Sequence, residues 1–394
     1  MSKNSKKIIL AYSGGLDTSC CVAWLKDRNF DVICFSANLG SEFSPAQLRK
    51  KAKLSGIKKI YIKDLRREFA NDYILPSLKS GAVYQDKYLL STALGRPLIA
   101  KYLVEVARKE GASFVAHGCT AKGNDQVRIE LAVKALSPKL KIIAPLRIWE
   151  LTSRDSEIAY AKSKKIPIST TKKKIYSIDK NIWGVSIESG ILEDLKNEVP
   201  EDAFILTKSL KEASLKPEYI SIGFNKGKPT KANGKKIEFI QLIEKLNKIG
   251  SKHCIGRTDL IEDRVVGIKS REVYEAPAAW ILHTAYKELE QVTLDKKTLS
   301  FKKIISLEYA QITYQGLWFS DFKKSLDKLV ESMQDRVSGK ITLKLYKGNI
   351  TIAKRESKYS LYKKELATYG NKDEFDRSWA EGFITLLGMP FIKK

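Results

Sequence analysis

Lys7-Ile8-Ile9-Leu10-Ala11-Tyr12-Ser13-Gly14-Gly15-Leu16-Asp17-Thr18-Ser19 reads as an apolar strand (7–12), a loop with adjacent glycines, and the start of a helix (18–26). Open parallel sheets bind ligands outside the carboxyl ends of their strands, where this loop lies. Gly14 and Gly15 allow a tight turn with exposed N–H groups. Ser13, Thr18 and Ser19 add hydroxyls, and the helix aims its N-terminus at the loop. Together these form an anion cradle. The loop is neither G-x-x-x-x-G-K-[ST] nor G-x-G-x-x-G. The plainer alternative is a turn whose Ser, Asp or Thr caps the helix. Asp17 cannot meet an anion directly. Its carboxylate suits Mg²⁺ carried by phosphates, or the helix N-terminus.

Outward from the loop, further short apolar runs at 31–37, 58–62, 113–117 and 141–145 predict strands. Helical spacing at 45–54 and 96–110 alternates with them. This is the pattern of a parallel sheet covered on both faces. The texture changes near 168. Residues 219–224 alternate apolar and polar, 223–234 are turn-rich, and 237–248 form an amphipathic helix. Segments 265–269, 298–312 and 340–353 continue a mixed α+β pattern. A hairpin is predicted from 340–345 and 349–353, joined by Tyr346-Lys347-Gly348. The expected fold class is α/β: a nucleotide-binding domain (1–168), an α+β domain (169–361) and a C-terminal helical arm (362–394). The apolar end of that arm, 383–391, must pack on its own domain or on a neighbouring subunit.

The chain has 394 residues, enough for two or three domains at about 150 residues each. No apolar run approaches the ~20 residues that span a bilayer, and the polar start predicts no signal peptide. Cys20, Cys21, Cys34, Cys119 and Cys254 are five in number and form no Cys-x-x-Cys pair. They predict free thiols in a reducing, cytoplasmic compartment. His117, His253 and His283 share no metal-ligand spacing, so no fixed protein metal site is expected. The formal net charge is +26. The lysines are dispersed and accompany abundant isoleucine, as an AT-rich genome would produce. Diffuse charge of this kind attracts anions without specifying nucleic acid as the partner.

A second loop, His117-Gly118-Cys119-Thr120-Ala121-Lys122-Gly123-Asn124-Asp125-Gln126-Val127-Arg128, follows the fourth strand at the same edge. Its hydroxyl, amide, carboxylate and guanidinium groups suit a small zwitterion, with carboxylates read by Thr120, Asn124 or Arg128 and an amino group by Asp125. The plainer reading is a capped helix start.

The S-G-G-x-D-[ST] loop resembles the PP-loop of the ATP pyrophosphatases. With 118–128, Tyr176-Ser177-Ile178-Asp179, 269–277, 316–320 and 360–362, it is similar to the argininosuccinate synthase family along essentially the whole chain. The resemblance implies a cytoplasmic homotetramer that joins L-citrulline and L-aspartate at the expense of ATP, with Mg²⁺. The citrulline ureido oxygen attacks the α-phosphorus, pyrophosphate leaves, and the aspartate amine displaces AMP from a citrullyl-adenylate. ATP would lie on Ala11 to Ser19, with Ala37 by the adenine and Gly118 near the nucleotide. Aspartate would meet Thr120, Asn124 and Asp125. Citrulline would meet Tyr88, Thr92 or Ala93, Asn124, Arg128, Ser177, Ser186, Glu262 and Tyr274. Glu262 would take its amino group and Arg128 its carboxylate. The chemical roles fall on Ser13, Asp17, Asp125 and Arg128.

Departures from the family pattern are Ala121 for glycine, Ser41 for glutamine, Ser91 and Gly95 around Thr92, and Leu146 for tryptophan. A positive φ at Ala121 would strain it by ~1 kcal/mol or more. Two rivals are weaker. A tRNA thiolase needs a cysteine partner that Cys119 lacks, and a decayed enzyme would not keep the phosphate loop with Asn124, Asp125 and Arg128 intact.

Overall fold

The computed structural model of the chain describes residues 5–41, 44–166 and 176–392. The expected boundary at 168/169 lies outside the described residues. Five parallel strands, β1 (Lys6–Ala11), β2 (Phe30–Asn38), β3 (Lys59–Asp64), β4 (Phe114–Ala116) and β5 (Lys141–Ile143), form one sheet in the order β3-β2-β1-β4-β5. Strand β1 is apolar on both faces. Ile8 and Leu10 join Val32, Cys34 and the first helix, Leu16–Asp27, in one apolar layer. Ile9 faces the other way, toward Ile33, Phe35 and the helix Ser91–Glu110. Burial on both sides is what the continuous apolar runs require.

The chain moves outward from β1 to β2 and β3, then returns to place β4 on the other side of β1. That reversal opens a crevice at the carboxyl ends of β1 and β4, between loops that cannot close over each other. Both expected ligand loops leave from this crevice.

After residue 175 the sheets are antiparallel. Strands β6 (Ser177–Asn181), β7 (Gly184–Glu188), β8 (Glu218–Asn225), β9 (Lys228–Ala232), β10 (Lys235–Lys236), β11 (Arg257–Asp263), β12 (Lys269–Glu275), β13 (Gly339–Tyr346) and β14 (Asn349–Glu356) make two sheets. Their orders are β11-β12-β7-β6 and β10-β9-β8-β13-β14. The β13/β14 pair is the expected hairpin. The core is continuous from the second face of the parallel sheet into this domain.

Several local expectations are corrected. The helix predicted at 96–110 starts at Ser91, because the Tyr88 hydroxyl accepts the N–H groups of Thr92 (3.0 Å) and Ala93 (3.2 Å) and so begins the helix ahead of Pro97. Strand β5 ends at Ile143, and Pro145 opens a short helix. Residues 223–234 are largely the ends of β8 and β9, while 265–268 are the turn between β11 and β12. Ala121 does not adopt positive φ, so the strain expected there is absent.

Candidate active site

A cleft of about 770 Å³ occupies the crevice. Ala11, Tyr12, Ser13, Asp17 and Thr18 line it from the phosphate loop, and Ala37 from the end of β2. Gly118 and Thr120 reach it from the loop after β4. Asn124, Asp125 and Arg128 come from the helix Asn124–Leu136, and Tyr88 and Thr92 from the start of Ser91–Glu110. The antiparallel domain contributes Ser177, Ser186, Glu262 and Tyr274 to the same wall. The other site residues expected from the sequence stand outside the wall. Gly14 and Gly15 form the turn, Leu16 and Ser19 are buried on the helix, and Ala93 is fully buried behind Tyr88.

The phosphate loop is held by its own hydroxyls. Ser13 Oγ lies 3.1 Å from Thr18 Oγ1 and accepts the Gly15 N–H at 3.3 Å, and Tyr12 OH lies 3.4 Å from Ser19 Oγ. Gly14 has φ +76°. Gly15 stands at the N-cap of Leu16–Asp27 and Gly123 at that of Asn124–Leu136, and neither helix has a side-chain cap. Uncapped starts also occur at Phe239, Pro277 and Ser378, whereas the helices that begin at Pro45, Arg154, Lys296 and Asp321 are capped by Ser44, Ser153, Asp295 and Ser320; what sets these two apart is that their starts face the cleft. Two helix N-termini at the cleft therefore keep free N–H donors, the feature that binds phosphate and carboxylate. The alternative of a Ser, Asp or Thr cap on the first helix is not what the structure contains.

At the other end of the cleft, Glu262 is 2% exposed. Tyr274 OH donates to its Oε2 at 2.5 Å and Tyr314 OH to its Oε1 at 2.6 Å, while Asn124 Nδ2 lies 3.3 Å from Oε1. Burial pushes the carboxyl upward, opposed by the two tyrosines and Arg128. The Tyr88 ring stacks on Tyr274 at 4.2 Å. Asn124 Oδ1 accepts the Val265 N–H at 2.8 Å, so the second domain orients this amide at both its oxygen and its nitrogen. Arg128 is buried. Its Nε donates to the Tyr314 carbonyl at 2.8 Å and Nη1 to Asp125 at 2.9 Å, but Nη2 has no protein partner. A buried guanidinium nitrogen without an acceptor is costly unless a ligand oxygen supplies one.

Comparisons with known proteins place the chain as a whole. The family description "Arginosuccinate synthase N-terminal HUP domain" matches residues 7–167, and "Arginosuccinate synthase C-terminal domain" matches 176–393. The chain is 52% identical to the argininosuccinate synthase of Carboxydothermus hydrogenoformans over 98% of this chain and 96% of that one. It is 52% identical to that of Chlorobium chlorochromatii over 99% and 97% of the two chains. The chain belongs to the argininosuccinate synthase family. Membership carries the family's activity, the ATP-dependent ligation of citrulline and aspartate in arginine biosynthesis, which forms a C–N bond. A solved structure described as a predicted subunit of tRNA methyltransferase from Methanocaldococcus jannaschii is 17% identical, with TM-score 0.29 over 40% of this chain and 74% of that one. A likeness at that level bears on nothing further.

In this argininosuccinate synthase fold the site contains charged groups that the sequence reading did not assign. Arg96 pairs with Asp125 at 2.7 Å and also with Asp179. Burial pushes the Asp125 carboxyl up, but Arg96 and Arg128 outweigh it and hold the group at about 2. Asp125 thus already carries two guanidinium partners. Arg264 bridges Glu188 (2.5 Å) and Glu272 (2.7 Å) and donates to the Lys122 carbonyl at 3.2 Å, tying the ligand loop to the second domain. Burial, then the nearby Glu188 and Glu262, push Glu272 up to about 9. Helical position marks Arg96, one turn past Thr92, as a candidate. Nothing local marks Arg264 or Tyr314.

Asp17 also has an unforeseen neighbour. Glu157, on the helix Arg154–Ser163, hydrogen-bonds its carboxylate, and burial followed by the Asp17 charge pushes Glu157 up to about 8. A carboxyl raised in the folded state stabilises the fold fully below its unfolded value, and that contribution is lost as pH rises through the folded one. Glu157→Gln should therefore show a smaller fall in melting temperature between about pH 6 and pH 9 than the parent chain. Parallel pH–melting curves for the two proteins would count against the pairing.

Proposed function

We propose that one cleft carries out the whole ligation, with ATP on the phosphate loop and citrulline between Arg128 and Glu262. The observation that carries this is the single wall joining uncapped helix N-termini to an unpartnered buried guanidinium. Backbone N–H groups of Ser13 to Thr18 receive the pyrophosphate part of ATP, and Ala37 faces the adenine. Arg128 Nη2 takes the citrulline carboxylate. Glu262, oriented by Tyr274 and Tyr314, takes its ammonium group. Tyr88, Thr92, Ser177 and Ser186 position the chain that leads to the ureido group. Aspartate binds at Thr120 and Asn124, with Asp125 held against Arg96.

The ureido oxygen attacks the α-phosphorus, the α–β bridge breaks, and pyrophosphate leaves. The aspartate amine then attacks the activated ureido carbon, losing a proton as AMP departs. No side chain need form a covalent bond. Alignment and fixed positive charge supply the acceleration. Among the described residues no group of three His, Cys, Asp or Glu side chains could hold a metal ion. Asp17, in the cleft wall, is the carboxylate that would meet a divalent ion brought in by the phosphates, because hard cations favour oxygen ligands. Mg²⁺ bound there would neutralise developing phosphate charge.

The division at 1–168, 169–361 and 362–394 follows the change from parallel to antiparallel sheets and the departure of the arm. None of residues 362–392 is buried, and the helix Ser378–Gly388 leaves Trp379, Phe383, Leu386 and Leu387 at least 60% exposed. The arm therefore does not dock on its own domain. Apolar surface of this extent calls for a cover, and a homotetramer in which arms cross between copies provides one. Deleting residues 362–394 should yield a species of lower sedimentation mass. A mass per assembly falling only by the deleted residues would overturn the crossing arm. No helix of the described residues is long and apolar enough to cross a membrane. All five cysteines are free, which supports a reducing cytoplasm as the location.

The deciding experiment is pyrophosphate release with Mg·ATP, citrulline and aspartate, omitting each in turn. The expected result is release that requires citrulline, with AMP and argininosuccinate as co-products. ATP binding without citrulline-dependent release would overturn the assignment.

A further inference from the structure

His117 follows the last residue of β4 in the cleft wall and is 1% exposed. Both ring nitrogens are engaged. Nδ1 accepts the Cys119 backbone N–H at 3.2 Å, and Nε2 lies 3.1 Å from Glu130 Oε1. The Cys119 amide can only donate, so Nδ1 carries no proton and the ring N–H sits on Nε2, facing Glu130. Arg147 holds Glu130 at 2.7 Å and donates to Gln126 Oε1 at 3.3 Å. Gln126 Nε2 in turn donates to the Ala121 carbonyl. His117, Glu130, Arg147 and Gln126 form a chain of contacts that grips the ligand loop at two backbone groups, the Cys119 N–H and the Ala121 carbonyl.

Between those grips and the phosphate loop lies Gly118. A Cβ there would stand 2.9 Å from Thr18 Cγ2 and 3.6 Å from the Thr18 backbone nitrogen. The Gly118–Cys119 peptide is thus packed against the uncapped helix start that faces the cleft. A shift of the Cys119 amide moves the surface on which the nucleotide would rest.

We propose that His117 is a positioning residue for nucleotide binding: as the Nε2–H tautomer, fixed by Glu130, it holds the Cys119 amide and so sets Gly118 against Thr18. The inference rests on the reading that ATP occupies this part of the cleft. It assigns His117 no contact with the reacting atoms.

Asparagine and glutamine separate the two ring nitrogens. An asparagine amide oxygen reaches only as far as Nδ1 and can keep the Cys119 bond. A glutamine amide reaches as far as Nε2 and can keep the Glu130 bond. Each substitution forfeits one hydrogen bond, so a purely structural role would move stability and nucleotide affinity together. The probe is α,β-methylene-ATP with Mg²⁺, whose α–β bridge does not cleave, titrated calorimetrically into the full-length protein without citrulline. The expected result is a Kd within about threefold of the parent for His117→Asn and raised about tenfold or more for His117→Gln, with similar melting temperatures. Citrulline KM should not separate the two variants. Amide exchange of the 118–122 peptide should be faster in His117→Gln alone. Equal Kd values in the two variants would overturn the inference, as would a loss confined to citrulline. If either variant fails to fold, Glu130→Ala, which frees the tautomer, should raise the Kd at least about threefold, and an unchanged Kd overturns it equally. Failure of the parent protein to bind the probe would instead remove the nucleotide reading itself.

Discussion

Arg128→Lys is expected to lower kcat/KM for citrulline by roughly 10²–10⁴-fold while ATP affinity is retained. The guanidinium has three simultaneous tasks. Nε meets the Tyr314 carbonyl, Nη1 meets Asp125, and the plane lies 4.7 Å over the Tyr314 ring. Nη2 is left for the substrate carboxylate. A lysine ammonium is a point charge on a flexible stem and cannot reproduce this fork. Losing two charge-assisted hydrogen bonds at about 1.5–3 kcal/mol each gives the stated range. The phosphate loop touches none of these groups, so ATP should bind as before. Steady-state kinetics with citrulline varied, together with a nucleotide titration, test both halves. A citrulline kcat/KM within tenfold of the parent would remove Arg128 from the carboxylate site.

The second large effect is expected at a residue with no side chain. Gly316 has φ +82°, and a Cβ there would stand 2.5 Å from the Arg128 Cα. The obstacle is backbone, so no rotamer change relieves it. Gly316→Ala should destabilise the fold by about 2–4 kcal/mol through left-handed strain and overpacking. The helix Asn124–Leu136 must also move away from Tyr314, carrying Arg128 with it. A displacement near 1 Å costs on the order of 10²-fold in activity when alignment supplies the rate. Denaturant unfolding and citrulline kinetics should both report the change. A stable Gly316→Ala protein with parental citrulline kinetics would show that the close approach is not needed.

Much of the first domain is readable from its residues because parallel strands buried on both faces leave continuous apolar runs, as β1, β2 and β4 do, while the edge strands β3 and β5 keep a short apolar run although only half-buried. The phosphate loop is readable for a similar reason. Its function depends on backbone donors and small side chains within nine consecutive positions. Helix starts were less legible. The first turn of Ser91–Glu110 depends on the Tyr88 hydroxyl, a side chain outside the helix, and this put the expected boundary five residues late. Residue 121 shows the converse. A family glycine suggested a special φ, yet the loop accommodates alanine with no positive φ.

The citrulline end of the cleft divides along the same line. Arg128 lies one helical turn beyond both Asn124 and Asp125, so its place beside them follows from sequence spacing alone. Glu262 and Tyr274 entered only through family resemblance, since a carboxylate on an edge strand ordinarily faces water. What makes them a site is contact across long chain separations: Tyr314 with Asn124 and Glu262, Arg264 with the Lys122 carbonyl, Glu157 with Asp17. By itself, the sequence determined the parallel sheet, the anion-binding loop and the chemical types available at its edge, because these depend on local periodicity and adjacent residues. Only the tertiary structure decided which charges are paired, which guanidinium nitrogen stays free and which histidine tautomer holds the ligand loop. Those properties arise from burial and from partners that distant segments bring within hydrogen-bonding range.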